Sequence, residues 1–229
     1  VIPDDLLEVS HRYGGDPAFV LAGGGNTSVK SGDRLWVKAS GHALATIGAD
    51  GFVELDRNKL DAMLTAEDWP VDPKAREALF IERVMAARAH PEKNQRPSVE
   101  ALLHHLLPDR LVVHTHPGVV NAVTCCVNGE AITAELFGQD VLWQPYVDPG
   151  LILARALDES LGQHDCRPIA IFLQNHGLIV GGDTGDEIAA ESTRVVSTIH
   201  QRLANADPGW RLRPPAVAAE SANPVDPTL

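Results

Sequence analysis

Leu111-Val112-Val113-His114-Thr115-His116-Pro117 decides how this chain is read. An apolar run rich in β-branched residues reads as a buried strand. Pro117, with no N–H to donate, stops it. Side chains on a strand alternate between faces, so His114 and His116 project to one side, at a separation suited to a single ion. Taken alone, the pair reads either as two hydrogen-bonded imidazoles or as part of a metal site. A third imidazole comes from a second strand end. Ile169-Ala170-Ile171-Phe172-Leu173 reads as a strand, Asn175-His176-Gly177 as the turn after it, and Leu178-Ile179-Val180 as another strand. Two strand-end histidine sites together favour a metal. Three neutral imidazoles with open coordination positions form a Lewis-acid site of the catalytic kind, for which zinc is suited and manganese, cobalt and iron are compatible.

Working outward, helices and short strands fill the rest. Asp4 to Arg12 reads as a helix, Gly23-Gly24-Gly25-Asn26 as a turn, and 27–30 and 35–38 as strands joined by a Ser31-Gly32-Asp33 hairpin. Phe52 to Leu55 alternates like a strand. Ala78, Ile81, Met85 and Ala89 recur at helical spacing within Lys74–Ala89. Ser98 is placed to cap a helix over 99–107 that Pro108 ends. Val119–Thr124 reads as a short helix and Asp186–Ala204 as a long closing one. The pattern is that of an α/β (α+β) domain over residues 1–212, a sheet covered by helices. The Ala/Pro-rich stretch 213–229 has no apolar period and reads as a disordered tail.

Composition narrows the class. The 229 residues are 44% hydrophobic and 22% charged, with a formal charge of −12. That balance argues against a general nucleic-acid binder, which needs a phosphate-neutralising surface. It leaves room for a small anionic substrate, which needs only a few local donors. No apolar run approaches the ~18 residues of a membrane span, and no basic-then-apolar secretory pattern opens the chain. Three cysteines, two of them adjacent (Cys125 and Cys126), make no disulfide framework. A soluble cytoplasmic protein is expected.

Glu100 is expected in the first turn of its helix, where the dipole favours a carboxylate; it reads either as a solvated helix-start acid or as a partner of the histidines. His104, one turn further, shares its face. His105 points elsewhere, and His11, His42, His90, His164 and His200 carry no local signal. Three small-polar turns could cradle an anion if the fold joins them: Gly23–Ser28, Ser40-Gly41, and Arg96-Pro97-Ser98 at a helix start. None is a P-loop or a dinucleotide fingerprint.

In this order and at about this spacing, Gly24-Gly25-Asn26-Thr27-Ser28, Lys38-Ala39-Ser40-Gly41, Pro97-Ser98-Val99-Glu100, His114-Thr115-His116-Pro117 and Asn175-His176-Gly177-Leu178-Ile179 resemble the class II aldolase/adducin family. The resemblance runs from about Asp4 to Ala204. Residues 35–52 look especially like the aldolase half of bifunctional rhamnulose-phosphate aldolase/dehydrogenases, without the dehydrogenase half. It implies a three-layer fold, with a mainly antiparallel central sheet flanked by helices, and homotetramers with sites between subunits. It further implies a zinc ion on His114, His116 and His176, Glu100 as acid/base, and Gly25, Asn26, Ser40, Gly41 and Ser98 on a sugar phosphate. The implied reaction is cleavage of a ketose 1-phosphate, such as rhamnulose or fuculose 1-phosphate, to dihydroxyacetone phosphate and a short aldehyde. A 4-epimerase, a decarboxylase and a non-catalytic adducin-like module share the family. The tyrosine that a neighbouring subunit lends in fuculose-phosphate aldolase is not matched: this chain has Tyr13 and Tyr146, and Pro145–Gly150 resembles a different tyrosine segment.

Overall fold

A computed structural model describes residues 2–21, 24–207 and 209. The expected boundary at 212/213 and the tail beyond it lie outside the described residues. Seven strands form one sheet: β1 (Asn26–Ser31), β2 (Arg34–Lys38), β3 (Phe52–Asp56), β4 (Leu111–Thr115), β5 (Val141–Gln144), β6 (Ala170–Leu173) and β7 (Gly177–Gly182). Their order is β3-β2-β1-β4-β7-β6-β5. Every pairing is antiparallel except that of β5 with β6. The helices are α1 (Asp4–Gly14), α2 (Arg57–Thr65), α3 (Pro73–Ala86), α4 (Ala101–Leu106), α5 (Gly118–Thr124), α6 (Gly129–Phe137), α7 (Leu151–Gln163) and α8 (Gly185–Ala206).

The sheet is apolar on both faces, and strand alternation sorts the core into two clusters. Val112, Ile171, Leu173 and Ile179 pack with α2, α3, α4 and α7. Leu111, Val113, Phe172, Leu178 and Val180 pack with α1, α5, α6 and α8. A strand covered on both sides must read as a continuous apolar run, as β4, β6 and β7 do. Leu102 and Leu157 are completely buried; truncating either to alanine would cost about 2–5 kcal/mol.

Local chemistry sets the helix starts. Asp72 accepts a hydrogen bond from the Ala75 N–H at 2.8 Å, with Pro73 at the first helical position. Thr184 accepts from the Glu187 N–H at 3.2 Å, while the Glu187 carboxylate reaches back to the Asp183 N–H at 2.8 Å. Tyr13 ties α1 to α8 through the Ile188 carbonyl and the Ser192 hydroxyl.

Four expectations are corrected. Asn26 opens β1 rather than ending a turn. The helix expected over 74–89 stops at Ala86, because the Ala89 N–H donates to the Glu54 carbonyl and Arg88 bridges to Leu55. The helix expected to follow Ser98 directly begins at Ala101. Residues 98–100 instead form a turn in which the Ala101 N–H donates to the Ser98 carbonyl and the Glu100 N–H to the Ser98 hydroxyl. Finally, α2, α6, β5 and α7 are additional to the elements the sequence pattern picks out.

Candidate metal centre

Antiparallel pairing brings the ends of six strands to one end of the sheet: the starts of β1 and β7 and the ends of β2, β4, β5 and β6. Opposite Asn26 of β1 stands His114, one residue before the end of β4. His116 follows it. His176 sits in the turn between β6 and β7, made possible by Asn175 in the left-handed region at φ 57°. Their ring centroids lie 4.7–5.2 Å apart. One nitrogen from each can be chosen so that all three lie within 4.8 Å of one another. Among the described residues, these three side chains form the one histidine, cysteine or carboxylate group spaced to hold a metal ion.

The hydrogen bonds fix which nitrogens face inward. His114 Nδ1 lies 3.0 Å from the Leu178 carbonyl, which can only accept, so Nδ1 carries the proton and Nε2 presents a lone pair in the neutral ring. That Nε2 is 3.0 Å from His116 Nε2 and 3.4 Å from Glu100 Oε1, which in turn is 3.3 Å from His176 Nε2. Glu100 Oε1 is buried and makes no hydrogen bond. Three ring nitrogens and a carboxylate oxygen without a hydrogen bond therefore gather in one place, a set of donor atoms that a divalent cation satisfies. The donor set of three imidazoles beside a carboxylate fits such an ion.

Protonation follows burial. His116 is pushed down to about 4, first by burial and then by the neighbouring His114 and His176 rings, against the pull of Glu100. His176 is lowered for the same leading reason. Burial pushes the Glu100 carboxyl up, but His114, His176 and the Asn26 hydrogen bond outweigh it and hold the group below the ordinary carboxylate range. At neutral pH His116 is thus a neutral imidazole and Glu100 an ionised carboxylate.

Behind Glu100 stands a relay of fixed groups. The Asn26 Nδ2 donates to Glu100 Oε2 at 2.5 Å and approaches Ser98 Oγ at 3.4 Å. Asn26 Oδ1 accepts from His104 Nε2, and His104 Nδ1 then accepts from the Ser28 hydroxyl at 2.7 Å. His104 thus acts on Glu100 through Asn26 rather than directly. It is pushed down to about 3, mainly by burial. A histidine held neutral in the fold but free to protonate when unfolded withdraws stability as pH falls from about 6.5 towards 3. From this group alone, unfolding free energy should fall by about 2 kcal/mol between pH 7.5 and pH 5. Urea titrations would show a slope against pH one proton smaller in His104→Gln; identical slopes would remove the neutral His104 from the account.

The small-polar turns do meet. Ala39 bridges to Pro97, the Ser40 N–H donates to the Arg96 carbonyl, and the Ser98 N–H donates to the Lys38 carbonyl. Ser40 and Ser98 are thereby neighbours, with Asn26 against Ser98. Gly41 turns at φ 89° into open space. Gly25, at φ 71°, lets the chain pass the end of β4, where a Cβ would stand 2.9 Å from the His114 carbonyl oxygen. Lys38 is 8% exposed, its ammonium disfavoured by burial and supported by the Glu100 charge. Its place within the field of Glu100 is not legible in the sequence, where Lys38 closes a strand and opens the Lys38–Gly41 motif. His105 is engaged with Asp61 and Arg57, His11 with the Ile47 carbonyl, His90 with Glu92, and His164 with the Gln139 carbonyl. Tyr13 is buried between α1 and α8, whereas Tyr146 is 54% exposed beside His176.

Gly177 tests how tightly the centre is built. A Cβ there would lie 2.5 Å from the Thr115 carbonyl oxygen and 2.6 Å from His116 Cδ2. Backbone on one side and the His116 ring on the other leave no room. Gly177→Ala should lose about 1–3 kcal/mol and bind divalent metal more weakly. Thermal melts with and without added zinc check this, and unchanged melting and metal response would refute it.

Residues 4–203 match the model of the class II aldolase and adducin N-terminal domain, and the chain belongs to that family. It is 28% identical over 209 residues to the uncharacterised oxidoreductase YuxG of Bacillus subtilis (strain 168). The match takes in 87% of this chain and 29% of that protein, so the chain spans under a third of the length of this relative. Among solved structures, it is similar to the N-terminal class II aldolase domain of a conserved protein from Thermoplasma acidophilum. The TM-score is 0.75 at 29% identity, over 87% of this chain and 92% of that one. The fold is also that of L-fuculose-1-phosphate aldolase from Thermus thermophilus, with a TM-score of 0.56 at 16% identity, over 89% and 94% of the two chains.

Proposed function

We propose that the chain is a metal-dependent lyase that cleaves a ketose 1-phosphate, of the rhamnulose or fuculose type, into dihydroxyacetone phosphate and a short aldehyde. The observation that carries this reading is the buried Glu100 oxygen without a hydrogen bond, 3.4 Å from His114 Nε2 and 3.3 Å from His176 Nε2 in a cluster of three histidines. His114, His116 and His176 hold the ion, with zinc favoured by the nitrogen donor set. When bound, the cation supplies Lewis-acid stabilisation for the negative charge that develops when the carbon–carbon bond breaks. Glu100 moves the proton at the reacting carbon, and Asn26 holds its far oxygen so that Oε1 faces the substrate. Ser40, Gly41, Ser98, Gly25 and Asn26 take the phosphate, with Lys38 supplying positive charge behind them.

Retention of the whole ligand set and of Glu100 favours an enzyme over an adducin-like interaction module. The family resemblance supports a homo-oligomer, a tetramer with sites between subunits. A cytoplasmic setting is supported by Cys125, Cys126 and Cys166, all unpaired. No described helix is long and apolar enough to cross a membrane.

The phosphate assignment separates this reading from a metallohydrolase, which needs no such turns. Phosphorylated ketoses should be turned over at least about a hundredfold better than the free sugars, and Ser98→Ala should raise KM more than it lowers kcat. Equal turnover of free and phosphorylated ketose would sink the assignment.

A further inference from the structure

His104 stands one helical turn after Glu100, its N–H donating to the Glu100 carbonyl at 3.2 Å, so the two side chains share a face. Asn26 and Ser28, alternate residues of β1, share the sheet face that meets them. A spacing of four laid over a spacing of two joins them in one row: Glu100, Asn26, His104, Ser28. All four are buried, which keeps water from standing in for a missing partner.

The direction of each hydrogen bond in the row follows from its first member. An ionised carboxylate only accepts, so Asn26 turns its NH₂ to Glu100 Oε2. Its carbonyl then faces His104, so Nε2 of that ring carries the proton. Nδ1 is left as the acceptor for the Ser28 hydroxyl. The opposite direction is also self-consistent, with Oε2 protonated, the Asn26 carbonyl accepting from it, and the His104 proton on Nδ1. Passing from one to the other requires an amide reversal, a hydroxyl rotation and the move of a proton between two nitrogens of a ring that is 1% exposed. Those changes must occur together, so the row keeps its direction while Glu100 gains and loses a proton.

We propose that His104 is a positioning residue: by holding the Asn26 amide in one orientation, it confines the proton that Glu100 takes from the substrate to Oε1. Oε2 is already occupied by the Asn26 N–H and takes no proton. Oε1, which makes no hydrogen bond and lies beside His114 and His176, keeps the proton where it can return to carbon. This inference rests on the lyase reading above.

The test is exchange at carbon 3 of dihydroxyacetone phosphate in D₂O with zinc-loaded protein. The C–H bond breaks, its electron pair stays with the substrate, its proton passes to Oε1, and a deuteron from solvent returns to the carbon. His104→Met, which offers Asn26 no donor, should slow exchange by about tenfold to a hundredfold, the scale of a small misplacement at a reacting centre. The KM for dihydroxyacetone phosphate and the zinc affinity should stay at wild-type values. His104→Gln, of the same length and with an NH₂ to offer the Asn26 carbonyl, should restore most of the rate.

A second readout needs neither metal nor turnover. Nitrogen-15 NMR of the imidazoles at neutral pH, with the His104 signals identified by their loss in His104→Gln, should show a neutral ring protonated on Nε2. It decides the matter even where His104→Met does not fold. A proton on Nδ1, or exchange at the wild-type rate in folded His104→Met, overturns the role of His104 and leaves the lyase reading standing. No exchange in folded, zinc-loaded wild type overturns the lyase reading and the proton path with it.

Discussion

Glu100→Gln should lower kcat for ketose 1-phosphate cleavage by about 10²- to 10⁴-fold, the usual weight of a positioned acid/base, while metal content stays at the wild-type level. The substitution is nearly isosteric, and its effect on the resting fold can be judged in advance. Glu100 Oε1 lies 3.4 Å from His114 Nε2 and 3.3 Å from His176 Nε2 and makes no hydrogen bond to either. An amide NH₂ in its place can donate to one of them, so the metal-free variant should melt no lower than wild type. The Asn26 hydrogen bond to the other oxygen is retained. A loss of activity with stability and metal content intact assigns Glu100 to the chemistry. A comparable loss of metal would make it chiefly a ligand, and full activity in Glu100→Gln would remove it from the mechanism.

His116→Ala should weaken divalent metal binding by at least about a hundredfold, since even groups that only orient a ligand contribute 10- to 100-fold. His116 is the histidine of the three best suited to this experiment. His114 is 1% exposed and bonded to Leu178 within the strand ladder, so its loss would mix core damage with ligand loss. His116 lies past the end of β4 and is half-buried. Competition with a chromophoric chelator reads the affinity directly, and a variant that binds metal as tightly as wild type would exclude His116 from the ligand set.

Much of this centre was legible in the sequence because its signals are local. The period-2 placement of His114 and His116 at the end of an apolar run needs only strand geometry, and Asn175-His176-Gly177 after a second such run repeats the signal. The central strands were legible for the same reason. Between 128 and 163 the local signals are weaker. β5 has four residues, Val141-Leu142-Trp143-Gln144, at a sheet edge, too few to show a period. In α7 Leu151, Ala154 and Leu157 recur at helical spacing, with Gly150 at φ 91° marking the helix start.

Contacts between distant segments could not be read. Asn26 meets Glu100 and His104 because β1 lies beside β4 and under α4. Gln144 comes beside His176 because β5 pairs with β6. Strand order is a property of the whole sheet, and no short motif encodes it. The start of the Glu100 helix was misplaced for a smaller reason: Ser98 does bind the Glu100 N–H, as a cap would, but the chain closes a separate turn before the helix begins.

The central claim is that three histidines and Glu100 form a centre that breaks a carbon–carbon bond in a sugar phosphate. Its most direct test is the release of dihydroxyacetone phosphate from a panel of ketose 1-phosphates by zinc-loaded protein, before and after chelation. The account predicts release from at least one 6-deoxyketose phosphate, abolished by the chelator and restored by added zinc. Fully metal-loaded, folded protein that releases none from any member of the panel would contradict it.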